Sequence, residues 1–285
     1  MGRSGRGVSV QKILFRFVKQ AVSIARKLTD AALTQISDPA GNSVAGWKHA
    51  VLHFLREHMD ATLAEVLDRA EEMERVRATL VLERGEFIGP SALCKSLDRA
   101  PMAVWRELLR PSSELLDQSG HAAIDATYFD RREASSHYLK RCERDVQTVQ
   151  ATFLVDTAQG AVIDVHCSAK WPNGTNVGPQ VALRNAGDLL SLAADKGYDD
   201  MNFREELRAE DVRPLIKHRV FAPYDHAHNA RIQDELYNQR SICETVNSVI
   251  KRSYGSAVRA RAWYRQFREI TLTAAVYNLE LVLKP

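Results

Sequence analysis

Cysteine is scarce in this chain and unclustered. Its four residues, Cys94, Cys142, Cys167 and Cys243, form no C-x-x-C pair. That argues against a zinc ribbon and a disulfide framework and fits a reducing cytoplasm. The nine histidines form no ligand-like cluster either; His226 and His228, two apart in a segment read as a loop, are expected to be solvated. No apolar run approaches the ~18–20 residues needed to span a bilayer, so no membrane partner is expected. The N-terminus is basic, but Arg16 and Lys19 interrupt its apolar part, which makes it a poor signal peptide. Excess charge is missing as well. The net value is only +3, too small by itself to indicate nucleic acid.

What is present is an ordinary globular balance, 45% hydrophobic and 26% charged, in 285 residues, with an uneven distribution of charge. Residues 1–29 hold Arg3, Arg6, Lys12, Arg16, Lys19, Arg26 and Lys27 and no carboxylate. Residues 251–268 hold Lys251, Arg252, Arg259, Arg261, Arg265 and Arg268, again with none. Two basic blocks around a mixed-charge middle suit a phosphate backbone, the alternative being a solvated basic surface. Trp263, Tyr264 and Phe267 interleave the second block; core packing is the expected role, base stacking the alternative.

From Val8 to about Arg110 the apolar spacing mixes three- and four-residue steps without a sustained heptad, which predicts packed helices rather than a coiled coil. Pro90–Asp98 and Met102–Leu109 read as two short helices joined by a tight turn, a candidate helix-turn-helix or a plain helical hairpin. The chain is divided at 1–115 and 116–285, an all-α N-terminal region and a second domain.

The second domain alternates strands and helices. His121–Phe129 reads as a buried strand interrupted by Asp125, whose carboxylate must be paired, protonated or metal-bound, or else belongs to a turn. Gln147–Val155 and Ala161–His166 are β-rich and flank Asp156–Gly160, a hairpin signal. After the turn-rich WPNGTNVGP, Gln180–Leu190 is expected to be helical. Leu189–Ala194 then runs into Asp195-Lys196-Gly197-Tyr198, with Asp199 and Asp200 as caps of a helix over Asn202–Ala209. Val212–Ile216 is a further strand, and Lys217–Arg231 a basic, histidine-rich loop.

The stretch Tyr237–Lys251, YNQRSICETVNSVIK, closes the pattern. On a helix turning about 100° per residue, Tyr237, Arg240, Glu244 and Lys251 share a stripe roughly 60° wide. Ile242, Val246, Val249 and Ile250 fall on the opposite face. An ordinary amphipathic helix would also look like this, since Arg240 and Glu244 are a routine i,i+4 pair. The spacing, however, resembles the Y-x2-R-x3-E-x6-K signature of DDE insertion-sequence transposases of the IS-four and IS-five groups. Asp195-Lys196-Gly197-Tyr198 is similar to the motif that carries their second aspartate.

The resemblance covers roughly 120–280. It implies an α/β, ribonuclease-H-like catalytic domain, a mixed sheet flanked by helices, preceded by the all-α region. The segment between Asp195 and Glu244 already holds a helix, a strand and a loop, leaving no room for an inserted β-domain, so the compact IS-five type is the nearer likeness. By the same resemblance Asp125, Asp195 and Glu244 are the catalytic residues and the metal ligands. They would hold two Mg²⁺ ions, or Mn²⁺ in their place. Tyr237, Arg240, Lys251 and Lys196 would contact DNA. The implied activity is cleavage at the element's ends and strand transfer into target DNA, by at least a homodimer associated with the nucleoid. A catalytically inactive regulator and a stand-alone metal-dependent nuclease are the alternatives.

Overall fold

The structure, a computed structural model, describes residues 7–37, 44–131 and 148–284. Arg3, Arg6, Cys142 and Gln147 of the sequence reading lie outside the described residues, as does the side chain of Lys12. There are two compact units, Met1–Leu115 with Thr271–Pro285, and Leu116–Ile270.

The first unit is helical: α1 (Gly7–Ala25), α2 (Asp30–Ile36), α3 (Gly46–His58), α4 (Leu63–Glu72), α5 (Glu74–Leu80), α6 (Pro90–Arg99) and α7 (Met102–Ser113). Local chemistry sets the helix starts. Thr29 caps α2 by accepting from the Ala32 N–H, and Thr62 and Glu65 form a reciprocal capping box on α4. Pro90 opens α6, where its missing N–H costs nothing. The α6–α7 turn is pinned by Trp105, which is buried and donates Nε1–H to the Ala100 carbonyl at 3.1 Å. Val104, Leu108 and Leu109 bury the same face of α7, leaving Ala103 and Arg110 outward.

The second unit is built on a six-stranded mixed sheet among the described residues. Its strands are β1 (His121–Arg131), β2 (Thr148–Asp156), β3 (Val162–Ser168), β4 (Ser191–Ala194), β5 (Arg213–Ile216) and the short β6 (Ala257–Val258). The order is β3-β2-β1-β4-β5, with β6 on β1. β1, β2 and β3 are antiparallel neighbours, and β1, β4 and β5 are parallel ones. This is the ribonuclease-H-like arrangement that the sequence led us to expect.

The helices of this unit are α8 (Gly174–Leu183), α9 (Met201–Ala209), α10 (Pro223–Arg231), α11 (Asp234–Asn238), α12 (Ser241–Tyr254) and α13 (Trp263–Leu283), the last running on into the first unit. Alternation along β1 divides its side chains between two faces. Ala122 and Ile124 join Leu154, Leu192 and Ala194 in a core with Val177 and Val181 of α8 and Phe203 and Leu207 of α9. Asp125 points the other way, toward α12, which packs on β1 and β2.

The β2–β3 turn is held by one buried carboxylate. Asp156 accepts from the Ala158 and Gln159 N–H groups at 3.0 and 2.8 Å and from the Ser119 N–H at 2.7 Å. Gly160, at φ +68°, supplies the left-handed residue that the turn requires.

Several local expectations are corrected. α8 begins at Gly174, inside the stretch read as a loop, and ends at Leu183, short of Leu190. Its glycines are there for packing: a Cβ at Gly178 would stand 2.9 Å from the Tyr198 ring and 3.1 Å from that of Phe203. The segment read as a histidine-rich loop contains α10, started by Pro223 with Asp225 reaching back to the chain ahead of it. His228 is not simply solvated, for it stacks on His218 with ring centroids 3.7 Å apart. Trp263 and Tyr264 are 58% and 36% exposed, so they are not the core residues expected; they meet each other edge-on, 5.8 Å between centroids.

Candidate active site

Asp125 lies in the central strand, and the parallel register of β4 fixes what stands beside it. Ile124 pairs with Ala194, so Asp195, the next residue along, leaves β4 alongside Asp125. Neighbouring strands are about 4.8 Å apart, which makes this pair of aspartates a consequence of sheet topology. Asp195 turns the chain through its own cap, its Oδ1 accepting the Gly197 N–H at 2.7 Å. Asp199 and Asp200 divide the work that follows. Asp200 caps α9 by accepting from the Phe203 N–H at 2.9 Å, whereas Asp199 is ion-paired with Arg204 and accepts from the Arg219 N–H.

The third side of the site is α12. This helix packs on β1 and β2 with Cys243 buried, and burial, with the charges of Asp125 and Glu244, pushes its thiol up. One turn on, Asn247 donates Nδ2–H to Asp125 Oδ2 at 3.3 Å. Asn247 was missed in the sequence; its i,i+3 spacing from Glu244 is the signal that would have found it.

Burial lifts the Asp125 carboxyl to about 6; the Ala126 N–H opposes the shift, and the charges of Asp195 and Glu244 add to it. Arg240 pulls the other way. The three predicted acids are therefore electrostatic neighbours. Glu244 itself is 61% exposed along its side chain and is held by Arg240, Oε1 to Nη1 3.1 Å.

The Tyr237–Lys251 stretch is not one uninterrupted helix. α11 ends at Asn238 and α12 starts at Ser241, with Arg240 and Cys243 N–H groups making tight bonds to Tyr237 and Arg240 carbonyls three residues back. Tyr237 is buried, with the Lys217 ammonium 4.2 Å from its ring centre and the Arg240 guanidinium at 5.7 Å. Arg240 and Lys251 are partly exposed, and Lys251 Nζ lies 5.6 Å from the Phe129 ring centre. Lys196 is exposed in the turn after Asp195.

Residues 117–279 match the family described as the Transposase DDE domain. The chain belongs to this family. It is thus a DDE transposase, an enzyme of metal-dependent phosphoryl transfer on DNA. No curated protein matches the chain. Among solved structures it is similar to the piggyBac transposase in its synaptic complex with hairpin DNA, with a TM-score of 0.51 and 10% identity over 95% of this chain and 74% of that one. At that identity the likeness bears on the fold, which it supports.

The residues suit a divalent cation. The donors are carboxylate oxygens, the set that hard ions take, and burial and mutual repulsion penalise ionised Asp125 when no cation is near. Asn247 Oδ1 adds a buried acceptor without a hydrogen-bond partner next to that carboxylate. With Glu244 turned to Arg240, no three acidic, histidine or cysteine side chains among the described residues converge closely enough to hold an ion as they stand.

Proposed function

We propose that Asp125, Asp195 and Glu244 are the metal-binding catalytic acids of a compact, IS-five-like transposase that cuts at the ends of its own element and joins them to target DNA. The observation that carries this reading is the convergence of the three elements: the β1–β4 register ends with Asp195 beside Asp125, and Asn247 of the helix that bears Glu244 donates to the Asp125 carboxylate. In this proposal residues 1–115 bind DNA, with α6–α7 as a helix-turn-helix, and residues 116–285 form the catalytic domain. Element ends and target DNA are the partners, and a homodimer or larger assembly holds the two ends together.

Two Mg²⁺ ions, replaceable by Mn²⁺, would be held by the three acids and would activate the attacking oxygen and stabilise the leaving one. The chain's own part is to hold acid and phosphate in register. Asp125 is fixed by strand pairing and Asp195 by the end of β4 and its own cap, whereas Glu244 must exchange Arg240 for the site. Arg240, once released, is a fork suited to the scissile phosphate, and Lys251 and Lys196 are point charges for its neighbours. Tyr237, expected from the sequence to contact DNA, is buried with the Arg240 guanidinium 5.7 Å from its ring centre, so in this proposal it supports Arg240 rather than touching DNA itself. Water attacking phosphorus breaks the P–O3′ bond and frees a 3′-OH. That hydroxyl then attacks a target phosphodiester, displacing the target's own 3′-oxygen.

The test is a gel assay of the purified chain on labelled DNA carrying the element's flanking ends, with a plasmid target, in Mg²⁺ or EDTA. Metal-dependent cleavage with covalent joining to the plasmid is the expected result. Cleavage without joining would replace the reading with a nuclease, and binding without cleavage with an inactive regulator.

A further inference from the structure

The loop between β5 and α10, with the first turn of α10, carries three exposed apolar side chains within five residues, two of them among the most exposed of the second unit. Phe221 is 85% exposed, Tyr224 69% and Val220 44%. Isolated exposed apolar residues are common, but a cluster on one short loop marks an interaction surface. The loop is also braced. Asp225 Oδ2 accepts the Phe221 and Ala222 N–H groups, both at 2.9 Å, and its Oδ1 meets His218 Nδ1 at 2.8 Å. Asn229 closes the other side, accepting the His218 N–H at 2.7 Å and donating to the His218 carbonyl at 3.2 Å. The aromatic tip is thus presented on a fixed backbone, and little order remains to be imposed on binding.

The same loop is tied to the turn that carries Asp195. Arg219 donates its N–H to Asp199, and its Nε–H to the Lys196 carbonyl at 3.0 Å. Asp199 and Asp225 therefore spend their carboxylates inward, while Arg219 and Lys196 remain exposed. Exposed rings beside exposed cations are the two components of a surface that takes a single nucleic-acid strand, stacking on the base and charge on the phosphate.

We propose that Phe221 and Tyr224 form a stacking surface for an unpaired base of the DNA strand that enters the site at Asp195. This rests on the transposase reading above and adds to it a second contact, to the base rather than the phosphate. A paired duplex gains nothing from such a surface, because its bases are already stacked.

The experiment compares two short duplexes in EDTA, one fully paired and one with a single-stranded overhang carrying 2-aminopurine. The full-length chain is tested with a Phe221→Ala, Tyr224→Ala double variant and with Phe221→Trp. The wild-type chain is expected to change the 2-aminopurine fluorescence and to favour the overhang. The double variant should lose about tenfold in affinity for the overhang while holding the paired duplex as before. Phe221→Trp, which keeps an aromatic face, should keep the preference. Equal binding of both DNAs by the wild type and double variant would overturn the proposal. So would a double variant that keeps its DNA preference but sediments as a smaller species, which would assign the face to a second copy of the chain. A wild-type chain that binds neither DNA would overturn the DNA-end binding proposed above, and this surface with it.

Discussion

Nδ2 of Asn247 lies 3.3 Å from Oδ2 of Asp125, so the helix that carries Glu244 also reaches the carboxylate of the central strand. The bond favours the ionised form of an acid that burial and two like charges push toward the protonated form. Asn247→Ala should remove this support and leave Asp125 harder to ionise. Cleavage should fall by about fivefold below pH 6, in keeping with the ~1 kcal/mol of an ordinary hydrogen bond, by less than about twofold near pH 7, and recover fully as pH rises further. A single-turnover rate-against-pH profile checks this. A uniform loss at every pH would mean that Asn247 acts only through packing.

Asp125 also sets how metal-free stability depends on pH. Its folded pKa of about 6 lies above the ordinary value of 3.8, so the native state binds more protons than the unfolded chain between these values. Stability therefore falls as pH rises through that window and stays low above it. Asp125→Asn should abolish cleavage yet raise metal-free stability at pH 7.5, by an amount on the order of 2 kcal/mol, with little change at pH 4. Urea denaturation in EDTA at both pH values gives the comparison. A variant less stable than wild type at pH 7.5 would remove the unpaired-charge account of the site.

The turn carrying Asp195 is seated by its own aromatic residue. Tyr198 packs its ring on Gly174 and Gly178, where a Cβ would stand 3.1 and 2.9 Å from ring carbons. Gly178→Ala should therefore cost about 1–3 kcal/mol by overpacking, despite the better helix propensity of alanine. Gly187→Ala, whose Cβ would meet nothing within 4 Å, is the control and should be nearly neutral. Equal melting temperatures for the two variants would show that Tyr198 can move aside at no cost.

Much of this was legible in the residues because it depends on short-range pattern. Asp125 announced itself as a carboxylate in a buried run, and Gly197-Tyr198 marked the turn after Asp195. What could not be read were features that depend on distant partners. Gly174 and Gly178 look like loop residues until Tyr198 is seen to need the space they leave. The stretch 217–231 looks like a basic loop because its order comes from Asp225, His218 and Asn229 bonding across it rather than from apolar spacing. Trp263 and Tyr264 look like core by composition alone, and nothing in their spacing reveals which way they face.

The last prediction concerns the pair that holds Glu244 outward. Arg240 grips its carboxylate across one helical turn, in solvent, where such a pair is worth only ~0.3–0.5 kcal/mol. In the proposed site Glu244 would therefore be recruited inward at small cost once a cation is present, since its attraction to a divalent ion would exceed what it gives up. Glu244→Gln keeps the shape and the hydrogen bond to Arg240 but removes the charge. Cleavage should fall by at least a thousandfold, while binding to DNA ends stays within about threefold and metal-free stability is unchanged or slightly higher. Gel shift, cleavage and urea melts on the same preparation separate the three. Cleavage that survives the substitution would place the third acid elsewhere, and lost binding with lost cleavage would make Glu244 a structural partner of Arg240 instead.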